Sequence, residues 1–150
     1  MAISRRKEII ELTRDELKKI NGDVSTFDSE YTYSIDVAEN VFRFNKFIDQ
    51  INDFPTICLV GGAENRIYHS YGLITGELPI GIRAYIRNEE PITVAENLAD
   101  DIAHIIYNLG DRSDMGIQDM IIDSVSTDGG LLNPYGILEV IITTRYQLNI

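Results

Sequence analysis

The clearest pattern in the chain is the strict alternation in the segment LPIGIRAYIR, residues 78–87. Apolar side chains occupy nearly all the even positions, whereas the odd positions include Arg83, Tyr85 and Arg87. Alternation with a period of two is typical of a strand that has one buried and one solvated face. The segment therefore predicts a strand whose even positions face a core and whose odd positions are wet.

A helical pattern follows directly, from Val94 to Leu109. Apolar residues recur at spacings of three and four and share one face, and Thr93 and Glu96 have the spacing of a capping box. The opposite face is predicted to be polar and carries Glu96, Asn97, Asp100, Asp101, His104 and Asn108. We expect this helix to start near Thr93 and to lie on the sheet that contains residues 80–86.

The other segments predict one more helix and several strands. Ile3, Ile10 and Leu17 are spaced by seven in a charged stretch that Gly22 is suited to end, which predicts a surface helix. Alternation predicts a strand with one wet face at 31–37, and residues 41–53 are ambiguous, with a strand followed by a short helix favoured. Further strands are predicted at 55–60, which reads as central and covered on both faces, and near 117–127 and 136–147. After the strand at 55–60, residues 62–78 predict a hairpin or a projecting arm.

This order of elements predicts a single domain over residues 1–150, of the α+β class. The expected architecture is a mainly antiparallel sheet of four to five strands with helices packed on one face. A chain of 150 residues, 44% of them hydrophobic, is long enough to bury a substantial core.

The charge of the chain narrows its choice of partners. It carries 24 acidic and 13 basic residues, a formal net charge of −11. Such an excess of negative charge disfavours binding to nucleic acid or to an anionic membrane surface. No apolar stretch has the length of a membrane span or of a secretory signal, and the single cysteine, Cys58, excludes a disulfide framework within the chain. We expect synthesis in the cytoplasm of a cell.

Candidate chemistry is sparse. Asp100, Asp101 and His104 stand at helical spacings that would let a carboxylate and the imidazole share a metal, although all three fit a solvated helix face better. Residues 111–116 begin like a calcium loop, but the twelfth position is Ile122 instead of a bidentate glutamate. We therefore predict no catalytic residues, no cofactor and no metal.

Features typical of protein interfaces are better represented. Tyrosine and arginine are enriched at interfaces because they bury a large area while keeping a polar group available. The candidate subunit-interface residues on predicted wet faces are Arg83, Tyr85, Arg87, Tyr107 and Arg145. With the long arm, they favour a subunit of an assembly over an enzyme.

In this arrangement the chain resembles the tail terminator and related minor tail proteins of long-tailed bacteriophages. The resemblance is carried by the N-terminal helix and by the segments FPTICLVGGAE, IGIRAYIR, AENLADDIAHIIYNL and GILEVIITTRYQL, and it covers most of the chain. These motifs describe a pattern of elements and include no catalytic residues.

The resemblance implies a virion structural protein that caps the head-proximal end of the tail tube as a homohexameric ring. Its implied partners are copies of itself, the tail-tube protein, the head-tail connector or neck protein and, in a contractile tail, the sheath protein. DNA would pass through the lumen without specific binding. Two alternatives remain open: another neck or tail-tube subunit of related fold, and a small acidic metal-dependent enzyme that uses Asp100, Asp101 and His104.

Overall fold

The computed structural model describes residues 5–148, which form two helices and one six-stranded sheet. The helices are α1 (Arg5–Leu17) and α2 (Pro91–Leu109). The strands are β1 (Val41–Phe42), β2 (Thr56–Gly61), β3 (Asn65–Tyr68), β4 (Ile74–Arg87), β5 (Ile117–Thr127) and β6 (Tyr135–Gln147). The predicted α+β class is confirmed.

The sheet has the order β1-β2-β4-β6-β5, and β3 pairs with one end of β4. All pairings are antiparallel except the two-residue pairing of β1 with β2. The sheet exceeds the predicted four to five strands because both β3 and the very short β1 join it. β2 lies one strand from the edge, so its predicted central place is wrong, although Thr56–Leu59 are buried as expected.

Both helices lie on the same face of the sheet. The even-numbered residues of β4 and β6 pack against them in one hydrophobic core, together with the apolar face of α2. Periodicity therefore predicted the buried side of each of these elements correctly. Of the apolar positions proposed for the first helix, Ile10 and Leu17 are buried in this core, and Ile3 lies outside the described residues.

The predicted start of α2 is wrong. The helix begins at Pro91, with Glu90 as its N-cap, and not at Thr93. Proline suits the first helical position because its fixed φ is helical and the amide it lacks would have no partner there. The resemblance of Thr93 and Glu96 to a capping box is accidental.

The predicted strand at 31–37 is also wrong. Its side chains do alternate, with Tyr33 and Val37 buried between exposed neighbours. The backbone, however, makes only isolated bridges, Asn21 to Asp36 and Val24 to Thr32. The segment packs across α2 instead of joining the sheet.

The ambiguous segment 41–53 resolves as expected, into the short strand β1 followed by a single 3₁₀ turn at Ile48–Gln50. Within residues 62–78, where a hairpin or arm was predicted, residues 65–77 form a hairpin. None of the helices within residues 5–148 is long and apolar enough to span a membrane.

Candidate assembly surfaces

The face of the sheet opposite the helices is only partly covered. At one end, the segment from Lys46 to Phe54 folds over it, and Ile51, Cys58 and Tyr85 form a small second core there. Tyr85 is 3% exposed, and its hydroxyl donates a hydrogen bond to the carbonyl of Lys46 at 2.5 Å. The rest of this surface, which we call the open face, has no helix over it.

Ion pairs between neighbouring strands cover much of the open face. Arg83 lies opposite Glu139 in the strand register and donates to its carboxylate at 2.7 Å. Arg145 contacts Glu77 at 3.3 Å and Asp119 at 3.8 Å. The bond to Glu139 raises the pKa of Arg83 above its ordinary value. The two guanidinium groups are thus paired with carboxylates within the chain.

The hairpin of residues 65–73, which we call the arm, projects from the other end of the sheet. All of β3 is solvent-exposed, and so is the 3₁₀ turn Ser70–Gly72 that connects it to β4. Four of its exposed side chains are large and apolar: Ile67, Tyr68, Tyr71 and Leu73. Such a cluster on a projecting segment is typical of a contact surface.

The base of the arm is fixed to the core through Glu64. The hydroxyl of the fully buried Tyr146 donates to this carboxylate, and Arg66 donates to it at 2.9 Å. Although burial acts to raise it, these bonds hold the pKa of Glu64 below its ordinary value. Nearer the tip, His69 bonds to the hydroxyl of Thr75 at 3.0 Å.

A groove of about 810 Å³ lies between α2, residues 31–34 and β5. Its lining is mixed apolar and polar and includes Tyr31, His104, Ile106, Tyr107, Met120, Ile121 and Ile122. Successive side chains of a strand point to opposite faces, so three consecutive residues of β5 line one groove only where it borders the backbone edge of the strand. The groove therefore opens onto the free edge of the sheet.

The wall of the groove formed by residues 31–34 is held in place by Asp101. This carboxylate is fully buried and accepts hydrogen bonds from the Tyr31 hydroxyl at 2.9 Å and from the amides of Ser34 and Ile35 at 3.0 and 3.1 Å. Burial raises the pKa of Asp101, and these bonds offset that effect only in part. Asp101 is thus a structural anchor, not the solvated helix residue that periodicity predicted.

Two comparisons with known proteins identify the family to which these surfaces belong. The family model described as bacteriophage tail tube terminator protein matches residues 3–149. The chain is also 34% identical over 120 residues to tail tube terminator protein p142 of Escherichia phage T5, covering 72% of this chain and 74% of that protein. The chain belongs to the bacteriophage tail tube terminator family. It is therefore a phage tail protein, and the resemblance seen in the sequence is confirmed.

The five predicted interface residues do not form one patch in this terminator. Arg83, Arg87 and Arg145 are spread along the open face: Arg83 lies opposite Glu139, Arg145 lies opposite Glu77, six residues before Arg83, and the Arg87 guanidinium is 5.6 Å from the ring centroid of Tyr135. Tyr107 is 77% exposed but lies on α2, on the other side of the sheet, beside the groove. The predicted wet position of Tyr85 is wrong, because the segment after β1 covers its ring.

Asp100, Asp101 and His104, which were considered as possible metal ligands, contact different parts of this terminator. Asp101 faces residues 31–35, whereas His104 bonds to the Ser25 hydroxyl at 2.7 Å and stacks on Tyr31. Asp100 is exposed on the rim of the groove. Within residues 5–148, no three His, Cys, Asp or Glu side chains are grouped so that they could hold a metal.

Sequence reasoning predicted a projecting arm that favours assembly but did not name its apolar side chains, and it missed the groove. The signal for the arm was present, since Ile67, Tyr68, Tyr71 and Leu73 are unusual in an otherwise polar loop. The groove had no such signal, because its walls come from three segments far apart in the chain. Only the fold brings residues 31–34 next to Tyr107 and Ile121.

Proposed function

We propose that this terminator caps the last ring of the tail tube as a homohexamer, at the head-proximal end of the virion. In this position it stops further polymerisation of the tube protein and provides the surface on which the head-tail connector or neck protein docks. A contractile tail would add a contact with the sheath protein. Membership of the tail tube terminator family, over nearly the whole chain, is the observation that carries the proposal.

The distribution of exposed surfaces supports ring formation. A closed ring with one kind of subunit needs two different, complementary surfaces on each copy. The arm and the groove are two such surfaces, one projecting and one concave. The exposed members of the predicted interface set, Arg83, Arg87, Tyr107 and Arg145, belong in this proposal as residues that contact a neighbour or line the lumen.

The charges of the open face suit a channel for DNA. The guanidinium groups of Arg83 and Arg145 are paired with carboxylates, and the whole chain carries a net charge of −11. A lumen with this balance repels phosphate groups, which lets DNA pass without specific binding. We therefore assign the open face to the lumen.

The proposal is tested by a phage in which the gene for this chain is deleted and supplied from a plasmid. Without the plasmid, we expect tubes of irregular, increased length and heads that fail to join tails, measured by electron microscopy. With it, images of purified particles should show six copies in one ring at the head-proximal end of the tail. A location at another level of the neck, or within the tube, would favour a related structural role and overturn the proposal.

A further inference from the structure

The arm and β5 lie at opposite edges of the same sheet. Asn65, Glu77, Arg145 and Asp119 are paired in one continuous row, which runs from β3 through β4 and β6 to β5. Among the strands of residues 5–148, β3 pairs with β4 alone and β5 pairs with β6 alone. Each copy therefore has one unpaired backbone edge on either side of this row.

The edge of β5 is only partly protected against pairing with another strand. Natural proteins block such edges with lysine, proline, bulges or a covering segment. β5 has no lysine or proline among its 11 residues, and Ile121 is 46% exposed. Its bulges lie before Asp119 and after Ile122, which leaves a regular stretch of four residues between them, Asp119–Ile122. β3, at the opposite edge, is also four residues long.

We propose that β3 of one copy adds to the edge of β5 of the next copy and that this junction joins the subunits of the ring. The inference rests on the proposed ring and identifies the surfaces that build it. The occupant of the groove is thus the arm of a second copy of this chain. Because the two surfaces differ, the contact runs head to tail, as ring closure requires.

The direction of the strands allows the sheet to continue through this junction. The four strands of the row alternate in direction, so β3 and β5 of one copy run oppositely. If the axis of the ring runs nearly along the strands, the rotation that relates neighbouring copies leaves the direction of β3 unchanged. That strand consequently meets β5 antiparallel, the arrangement in which opposed residues exchange backbone hydrogen bonds.

The side chains of the arm are suited to the surface of β5 and the groove of the next copy. Ile67 is paired with Thr75 on the open face, and Ile121 is paired with Thr143 on that same face. Arg66 and Tyr68 point to the helix side and would enter the neighbour's groove. There Tyr68, which is 71% exposed in the single chain, would lie among Tyr31, Tyr107 and Ile122 of the neighbour.

The charges of the two strand edges also favour the arm of a second copy as the occupant of the groove. β5 carries Asp119 and Asp123 and no basic residue, and Asp100 lies on the rim of the groove. β3 carries no acidic residue, and its Arg66 is paired with Glu64 of the same chain. Two acidic β5 edges repel each other, whereas β3 adds no negative charge, so pairing of β5 with β3 is favoured over pairing of two β5 edges.

Only two registers satisfy these constraints. Opposed residues in a sheet share a face, so Asn65 and Ile67 must pair with Asp119 or Ile121. Placing Ile67 opposite Ile121, or Asn65 opposite Ile121, leaves three pairs between the bulges of β5. Any other alignment either reverses the faces or runs past a bulge.

Cysteine cross-linking tests the junction and its register. The variants Ile67→Cys/Ile121→Cys and Asn65→Cys/Ile121→Cys are supplied to the deletion phage, and purified tails are oxidised and separated on denaturing gels without reductant. We expect one of the two to give a ladder of covalent oligomers up to the hexamer, while the other gives little. Native Cys58 is buried and does not take part.

Two kinds of control define the result. Each single-cysteine variant should give no oligomer, because in a head-to-tail contact the same position does not meet itself. Ile67→Cys/Leu131→Cys, which moves one cysteine to an exposed loop outside the junction, should give no ladder.

The possible outcomes separate this inference from the proposed function. Tails that contain a ring of this chain but give no oligomer above a dimer with either pair overturn the junction and leave the function intact. Strong dimers from a single-cysteine variant would indicate a two-fold contact and would also overturn it. Tails that lack the wild-type chain at their end overturn the proposed function itself.

Discussion

Tyr31 stacks flat on the imidazole of His104, with 3.9 Å between the ring centroids and 3° between the ring planes. The hydroxyl of the same tyrosine donates to Asp101, one turn earlier on α2. A single helix thus holds the segment after α1 through a stacked ring and a buried carboxylate. This contact substitutes for the strand pairing that the alternation of residues 31–37 predicted.

Asp101→Ala should destabilise the fold because it removes the acceptor of the partly buried hydrogen bonds from the amides of Ser34 and Ile35. We expect the free energy of unfolding to fall by about 2–4 kcal/mol, the usual cost of two such groups. Urea unfolding followed by circular dichroism measures this change. Asp100→Ala, at the exposed neighbouring position, serves as the matched control and should change stability by less than about 0.5 kcal/mol. Equal stability of the two variants would contradict the anchoring role.

Tyr146→Phe removes the hydroxyl that donates to Glu64 and leaves the buried ring in place. We expect a loss of about 1 kcal/mol in unfolding free energy and a rise in the pKa of Glu64 toward its ordinary value. NMR titration of the Glu64 carboxyl measures the pKa directly. An unchanged pKa would mean that Arg66 alone sets it.

The same pair makes stability depend on pH in a defined direction. The pKa of Glu64 is lower in the folded chain than in the unfolded chain, so the unfolded state takes up the proton first. The stabilisation is complete above the unfolded pKa and is lost as the pH falls through the lower, folded pKa. In Tyr146→Phe this acid-dependent loss should be smaller, as measured by urea midpoints at a series of pH values below 6.

Gly76→Ala tests how closely β4 packs on the core next to the base of the arm. A Cβ at this position would lie 2.6 Å from the ring of Tyr146, and the ring has no free space into which to move. We expect a destabilisation of about 1–3 kcal/mol, as for other overpacked cores. Gly81→Ala, in the same strand, is the control, because its nearest atom would be 3.9 Å away. If both variants unfold at the same urea concentration, the close packing of Gly76 on Tyr146 is wrong.

The double variant Glu77→Gln/Glu139→Gln tests the electrostatic role of the open face. It removes the partner of Arg83 and the nearer of the two partners of Arg145 without changing side-chain size, so both guanidinium groups become more available to phosphate. We expect binding of a fluorescent DNA duplex to rise several-fold at low salt and to weaken as salt is added, as measured by anisotropy. Glu30→Gln/Glu96→Gln makes the same change in net charge at exposed positions that have no basic partner within residues 5–148, and it should have a much smaller effect. Equal binding by both variants would indicate that only net charge matters.

Sequence periodicity predicted the layers of this fold because it reports which side of an element is buried. It predicted the buried faces of α2, β4 and β6 correctly, since in each of them a long run of apolar residues recurs with one period. The same reasoning failed at residues 31–37, where side chains alternate but the partner of the backbone is the carboxylate of Asp101. Periodicity carries no information on what the backbone pairs with.

The residues of the candidate surfaces were harder to predict than the layers of the fold, for a related reason. Tyr85 occupies an odd position of β4, beside Arg83 and Arg87, and nothing local distinguishes it from them. Its burial depends on Ile51 and Lys46, which come from a segment more than 30 residues earlier. Asp101 was misassigned in the same way, because the segment that covers it is remote in the chain.

The two bulges of β5 limit how copies can meet if the subunits join at this edge. A strand that arrives from a neighbour finds only three or four residues of straight backbone, and sliding by a further pair takes it into a kink. Every seam around the circle is then built with the same offset and the same angle. The diameter of the opening, and with it the number of subunits that closes the circle, would follow from the spacing of two irregularities in one strand.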